Sequence, residues 1–330
     1  MAARQSVDTR SPRDPASPLA AAVDRLPSSV VFIERDWLSC NQVLMFDDDG
    51  ATLIDSGYGS RAARTLERVT QALAGRPLRR IINTHLHSDH CGGNAALVEA
   101  FGCEVLVPQA DARAVADWDM QRLSFAATGQ TCPRFRADGV IVPGQVMRLG
   151  GLDWTFHAAP GHDAHSLILH NAERRLLLSA DALWQQGFGI LFPELDGESG
   201  FAEQRAVLEH IASLPVALVL PGHGPVFDDV DAALDVAGRR LSAMQADPLR
   251  HARTAIKVLL KFLLLDHKRM AMADLVPLAA TASVIGNAAG QLGLDALAAL
   301  RIAVEELSAQ GLVRVEQGWL IDTTPVSPHH

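Results

Sequence analysis

Thr84-His85-Leu86-His87-Ser88-Asp89-His90 is the stretch that decides how this 330-residue chain is read. It leaves a strand predicted over Arg80–Thr84. Continued in extended form, positions 85, 87 and 89 point to one side, because side chains alternate along a strand. A turn then swings His90 back toward the same space. Gly92 and Gly93 permit the tight passage into a helix predicted over Asn94–Phe101. Three imidazoles and a carboxylate this close suit a divalent ion such as zinc.

Four positions elsewhere repeat one arrangement, a polar group at the end of an apolar strand. Asp55 ends Leu53-Ile54. His162 lies in Pro160-Gly161-His162. Asp181 follows Leu176-Leu177-Leu178-Ser179-Ala180, and His223 lies in Leu220-Pro221-Gly222-His223-Gly224-Pro225. A single strand-end His or Asp is commonly a turn residue. Four of them share a placement that builds sites, on loops at one edge of a rigid sheet.

With these residues in hand, the chain resembles the metallo-β-lactamase-fold hydrolases over roughly residues 28 to 245. The resemblance implies an α/β (α+β) fold, an αββα sandwich with a dinuclear metal site at one sheet edge. By motif, His85, His87 and His162 hold one ion. Asp89, His90 and His223 hold the second, and Asp181 bridges them. Asp55 matches an acid that lies behind the ligands and orients one of them or the loop backbone. The implied cofactor is two divalent metal ions, zinc first and iron or manganese as alternatives. Two cations sharing a water lower its pKa toward about 7. Asp89, the catalytic residue in this reading, also orients that nucleophile.

Asp181 stands where zinc β-lactamases with a cysteine ligand carry the cysteine. The pattern is therefore closer to the glyoxalase II, lactonase and phosphodiesterase-like branches. The only tyrosine, Tyr58, follows Asp55 and not the bridging acid, unlike the acyl-homoserine lactonase pattern. No basic glutathione-binding cluster is evident. Leu183, Trp184, Phe188, Ile190, Leu191 and Phe192 after Asp181 read as a wall for an apolar acyl or ester group. The expected enzyme is a metal-dependent hydrolase of an ester, thioester or lactone carbonyl in a small-molecule substrate. The alternatives are a phosphodiesterase or nuclease on the same metals, and a mononuclear iron enzyme resembling persulfide dioxygenases.

Composition bounds these readings. Hydrophobic residues at 48% and charged residues at 20% support a sizeable core and exclude wholesale disorder. A net charge of -9 argues against a general polyanion-binding surface. Four cysteines without a repeated short spacing argue against a disulfide framework or a zinc ribbon, and Cys91 reads as a small buried residue. No apolar run is long enough to span a bilayer and no secretory signal is visible, so the expectation is a cytoplasmic protein without a membrane partner.

Residues 1–25, rich in Ala, Ser, Pro and Arg, read as a leader, and 26–247 as the catalytic domain. After Asp247-Pro248 the pattern changes to three helices, at about Ala252–Leu265, Met272–Ala279 and Leu294–Gln310. A hairpin of Leu312–Val315 and Trp319–Ile321 follows, so 248–330 reads as a winged-helix-like domain. The helix that would enter a DNA groove carries Arg301 against Glu305 and Glu306, which argues against specific DNA binding. Arg250, Arg253, Lys257 and Lys261 form a basic stripe expected to be solvated or to face an interface, and self-association into a homo-oligomer is compatible with it.

Overall fold

The computed structural model describes residues 25–324. The leader read over residues 1–25 thus lies outside the described residues, apart from Arg25. The first sheet runs β1 (Val30–Ile33), β2 (Gln42–Asp47), β3 (Gly50–Ile54), β4 (Leu78–Ile82), β5 (Glu104–Pro108) and β6 (Gly139–Ile141) in spatial order. The β1–β2–β3 pairs are antiparallel and β3–β4–β5–β6 parallel. Helices α1 (Ala62–Leu73), α2 (Ser88–Cys91), α3 (Asn94–Phe101) and α4 (Ala112–Asp117) belong to this half.

The second sheet comprises β7 (Val146–Leu149), β8 (Leu152–Ala158), β9 (Leu167–Asn171), β10 (Leu176–Ala180) and β11 (Leu218–Pro221), in the order β11-β10-β9-β8-β7. Its helices are α5 (Phe192–Leu195), α6 (Phe201–Ser213) and α7 (Val230–Ala246). The inner faces meet in one core, with Val43, Met45, Ile54 and Ile82 from the first sheet against Trp154, Phe156, Leu169 and Leu178 from the second. Strands buried on both sides carry their other faces into two further cores. Leu53 and Ile81 pack with Val69 and Leu97 under α1 and α3. Ile168 and Leu177 pack with Val207, Ile211 and Leu241 under α6 and α7. The expected αββα sandwich is the result.

The C-terminal part begins where Asp247 caps the next helix, its side chain accepting from the Arg250 N–H at 3.0 Å, with Pro248 in the first turn. Helix α8 (Pro248–His267) leads to β12 (Arg269–Ala271), α9 (Leu275–Thr281), α10 (Ser283–Gln291), α11 (Ala296–Ala309), β13 (Val313–Glu316) and β14 (Trp319–Asp322). The expected three helices are four. Ala282 is extended (φ -81°, ψ 92°) and separates α9 from α10. Two glycines in Ser283–Gln291 mask a helix whose buried face is Val284, Ile285, Ala288 and Ala289. The hairpin gains β12 as a third strand. The core of this part is not self-contained, since it takes in Ala127, Ile190 and Leu195.

Half of the basic stripe departs from the expectation: Arg250 and Arg253 are exposed, whereas the two lysines are paired. Lys257 Nζ meets Glu306 of α11 at 2.8 Å, and Lys261 Nζ reaches Asp322 at 2.5 Å and the Leu312 carbonyl at 2.6 Å. The lysines tie α8 to its own module, because an amphipathic helix with long cationic side chains can bury their stems and pair their heads at its flank. Among the described residues, no single helix is long and apolar enough to cross a membrane.

Candidate metal centre

The motif leaves β4 as predicted, but it does not stay extended. His87 is the last extended residue (φ -64°, ψ 150°), and Ser88–Cys91 closes a helical turn through Cys91 N–H to the His87 carbonyl at 3.1 Å. Asp89 and His90 are therefore delivered by a turn of helix, and position 89 reaches the cluster without strand alternation. Gly92 and Gly93 have ordinary negative φ values. Their role is space: a Cβ at Gly93 would run into the Ser56 carbonyl, and one at Gly92 into the Gly59 N and Ser88 O.

Strand ends supply the other groups. Asp55 and Ala180 have left-handed backbone (φ 58° and 44°), which bends the chain sharply after β3 and β10 and turns Asp55 and Asp181 inward. The Asp55 carboxylate accepts from Thr84 N–H, Thr84 Oγ1–H and His90 Nδ1–H, each at 2.8 Å. This leaves His90 Nε2 facing the cluster. Asn41, which sequence reasoning missed, pins the His223 loop by donating to the Pro221 and Gly224 carbonyls at 2.9 and 2.8 Å. A Cβ at Gly222 would strike Asp181 Oδ1.

All seven predicted residues converge, and they sort into two groups. His85, His87 and His162 offer ligand atoms within 4.8 Å of one another, as do Asp89, His90, Asp181 and His223. His87 Nδ1 is 2.8 Å from His162 Nε2. Asp181 faces both groups, with Oδ2 3.3 Å from His162 Nε2, and Oδ1 3.4 Å from His90 Nε2 and 3.8 Å from His223 Nε2. Asp89 Oδ2 lies 3.0 Å from His223 Nε2. A third group of donors, Cys40 with Asp55 and His90, sits behind the second. Burial pushes the Cys40 thiol up to about 11. A cysteine between two strands carries no metal-motif signal, so sequence reading passed it over.

The donor set fits cations. His85 Nε2 and His90 Nε2 are buried without a hydrogen-bond partner, a costly arrangement unless something accepts their lone pairs. Burial and neighbouring imidazoles hold His85 well below the usual histidine range; burial likewise holds His87 and His162 at about 4. These three rings are thus neutral, the form that ligates metal. His90 differs. Burial opposes its charge, but Cys40, Asp181, Asp55 and Asp89 around it hold its pKa well above the ordinary value.

Aromatic rings rim the centre. Trp37 stacks on His223 at 5.4 Å between centroids, with planes 4° apart, while remaining 59% exposed. Trp184 lies 5.3 Å from His223 and donates Nε1–H to Asp181 Oδ1 at 3.3 Å. Phe192 flanks His87 and His162 at 5.0 and 5.5 Å. Of the expected apolar wall, Trp184 and Phe192 face the site, whereas Leu183, Phe188 and Leu191 are fully buried in the α6–α7 core. Ile190 packs with the C-terminal helices instead. Trp37 was missed because it precedes β2 with no motif around it. His165 bonds Asp111 at 2.7 Å and belongs to neither group. Cys91 is buried, 3.8 Å from Cys132 Sγ, and in neither group. Tyr58 is buried edge-on to Phe262 at 5.4 Å.

The family model of the metallo-beta-lactamase superfamily matches residues 35–223, a span that holds all seven residues and Asp55. The chain belongs to the metallo-beta-lactamase superfamily. Curated relatives include a hydroxyacylglutathione hydrolase of Rhodospirillum rubrum, 29% identical over 177 residues, 52% of this chain and 60% of that protein. Another, from a Polaromonas species, is 28% identical over 197 residues, 57% of this chain and 67% of that protein. The chain thus spans 60% and 67% of the length of these two relatives. A beta-lactamase domain protein from Burkholderia ambifaria has a TM-score of 0.53 at 21% identity, covering 89% of this chain and 93% of that one. That likeness concerns the fold, and it extends beyond the sandwich.

Proposed function

We propose that this superfamily member is a dinuclear metal-dependent hydrolase of ester, thioester or lactone carbonyls. The observation that carries the reading is the Asp181 carboxylate, which turns one oxygen to each group of imidazoles. His85, His87 and His162 would hold one divalent ion, and Asp89, His90 and His223 the other, with Asp181 shared. Seven protein ligands exceed the needs of one tetrahedral zinc ion. When bound, the two ions supply Lewis acidity toward an attacking water and the carbonyl it attacks.

The chain's own residues supply the rest. Asp89 offers a buried carboxylate beside His223 that can accept a hydrogen bond from the attacking water and orient it. Asp55 holds His90 in one tautomer. Trp37, Trp184 and Phe192 present apolar surface for the acyl group and exclude bulk water. The named activity of the curated relatives, hydrolysis of a hydroxyacyl thioester, supports an acyl substrate. On this reading residues 26–247 carry the chemistry and 248–330 a winged-helix-like module, in a soluble protein without specific DNA binding.

Elemental analysis of protein purified without chelator should find about two metal equivalents, read together with turnover of a panel of acyl thioesters, esters, lactones and aryl phosphodiesters. Turnover confined to the acyl compounds supports the assignment. Turnover confined to phosphodiesters, or one iron per chain with oxygen uptake, would replace it.

A further inference from the structure

Residues 189–192 run between the metal centre and the C-terminal module, and every one makes a main-chain bond to one or the other. The Gly189 N–H donates to the Asp181 carbonyl at 3.0 Å, and the Phe192 N–H to the His162 carbonyl at 3.4 Å. The Ile190 carbonyl accepts from His162 Nδ1–H at 2.5 Å. The Leu191 carbonyl, next in the chain, accepts from Nε2–H of His251 on α8 at 3.2 Å. Three bonds thus go to metal-centre residues and one to the module. Side chains join the two as well, with Ile190 in the module core and Phe192 packed both against that core and against His87 and His162. The fit is tight, since a Cβ at Gly189 would collide with the His162 ring.

We propose that His251 is a positioning residue: by holding the Leu191 carbonyl it fixes the adjoining Ile190 carbonyl that orients His162, which makes the C-terminal module a working part of the metal centre. The inference rests on the metal-centre reading above. His251 is 2% exposed, and its Nδ1 is buried without a partner, so the ring spends its one proton on Leu191. Burial lowers its pKa, which keeps the ring neutral and the donor at Nε2. A metal-bound histidine depends on the acceptor of its other N–H, and loss of such a partner weakens metal binding by about 10–100-fold. His251 acts one peptide further away, which places its effect near the lower end.

The test measures both stepwise zinc affinities of the full chain by competition with a chromophoric chelator. His251→Phe keeps a ring without the donor. His251→Gln restores an N–H near the position of Nε2. Leu260→Ala, in the same helix, removes core packing and leaves the bond. We expect His251→Phe to weaken one of the two zinc affinities about tenfold and leave the other unchanged. His251→Gln should recover most of the loss, and Leu260→Ala should lower the melting temperature without weakening zinc. If the Phe ring is not accommodated, His251→Asn, whose amide falls short of the carbonyl, carries the same expectation. Wild-type affinities in the Phe or Asn variant, or an equal loss in Leu260→Ala, would overturn the positioning role. A wild-type chain that binds fewer than two ions refutes the dinuclear reading itself, and does so before any substitution is made.

Discussion

Replacing Asp55 with Asn tests whether the second group of ligands depends on the tautomer of His90. The substitution preserves shape, and Asn tolerates the left-handed backbone that this position adopts (φ 58°). A carboxylate only accepts, so in the native protein the three bonds at 2.8 Å place a proton on His90 Nδ1 and leave Nε2 free for a metal. Asn has one acceptor oxygen. The Thr84 backbone N–H cannot turn away and takes it, which points the amide nitrogen at Thr84 Oγ1 and His90 Nδ1. The Thr84 hydroxyl can rotate to accept. His90 either keeps a buried N–H facing another N–H or moves its proton to Nε2, the atom needed by the metal. Either outcome costs about 1–3 kcal/mol, the penalty of one unsatisfied buried polar group. At 1.4 kcal/mol per tenfold, that is about 5–150-fold in affinity. Chelator competition should therefore show one zinc affinity reduced by that factor and the other nearly intact, and histidine ¹⁵N spectra should report the altered tautomer. Wild-type affinity at both sites in Asp55→Asn would refute the tautomer argument.

Three further outcomes follow from other features. Asp181→Asn removes the charge between the two groups, so occupancy of at least one site should fall in elemental analysis and turnover should drop by orders of magnitude; wild-type rates with two metals would exclude it as the shared ligand. His87 and His162 titrate at about 4 when folded, against about 6.5 unfolded. The unfolded chain therefore takes up protons first, and their contribution to stability is present above about pH 6.5 and lost as pH falls toward 4. His90 acts in the opposite sense, adding stability below its raised pKa that is lost as pH rises through it. The melting temperature of chelator-treated protein should decline from pH 6.5 to 4, and a flat profile would contradict the burial argument. Lys261→Gln should destabilise the protein by about 1–3 kcal/mol in urea unfolding, because the side chains of Lys261 and Asp322 are only 17% and 2% exposed and Asp322 would lose a charged partner. An unchanged midpoint would return Lys261 to the solvated stripe.

Much of the centre was legible because its chemistry is concentrated in local patterns. His85, His87, Asp89 and His90 fall within six residues, and His162, Asp181 and His223 each follow an apolar strand, the two histidines beside a glycine. Other parts left no such trace. Trp37 and Asn41 act through neighbours 180 or more residues away, and no local periodicity encodes that. The helical turn at Ser88–Cys91 reverses the expectation of strand alternation, because four residues are too few to show a period of their own. The helix at Ser283–Gln291 was hidden by glycines whose low propensity is overridden by the burial of Val284 and Ile285.

The amino-acid order by itself determined which side chains can ligate a metal, and the strand-ended loops that carry them, since both depend on residue type and short-range pattern. Tertiary structure alone decided three things. It set the two oxygens of Asp181 toward different histidines. It moved Leu183, Phe188 and Leu191 from the expected wall into a core. It also joined the C-terminal helices to His162 through four residues of main chain. Each of these depends on where distant segments meet when apolar surface is buried, and such distances are properties of the packed chain that no local stretch of sequence contains.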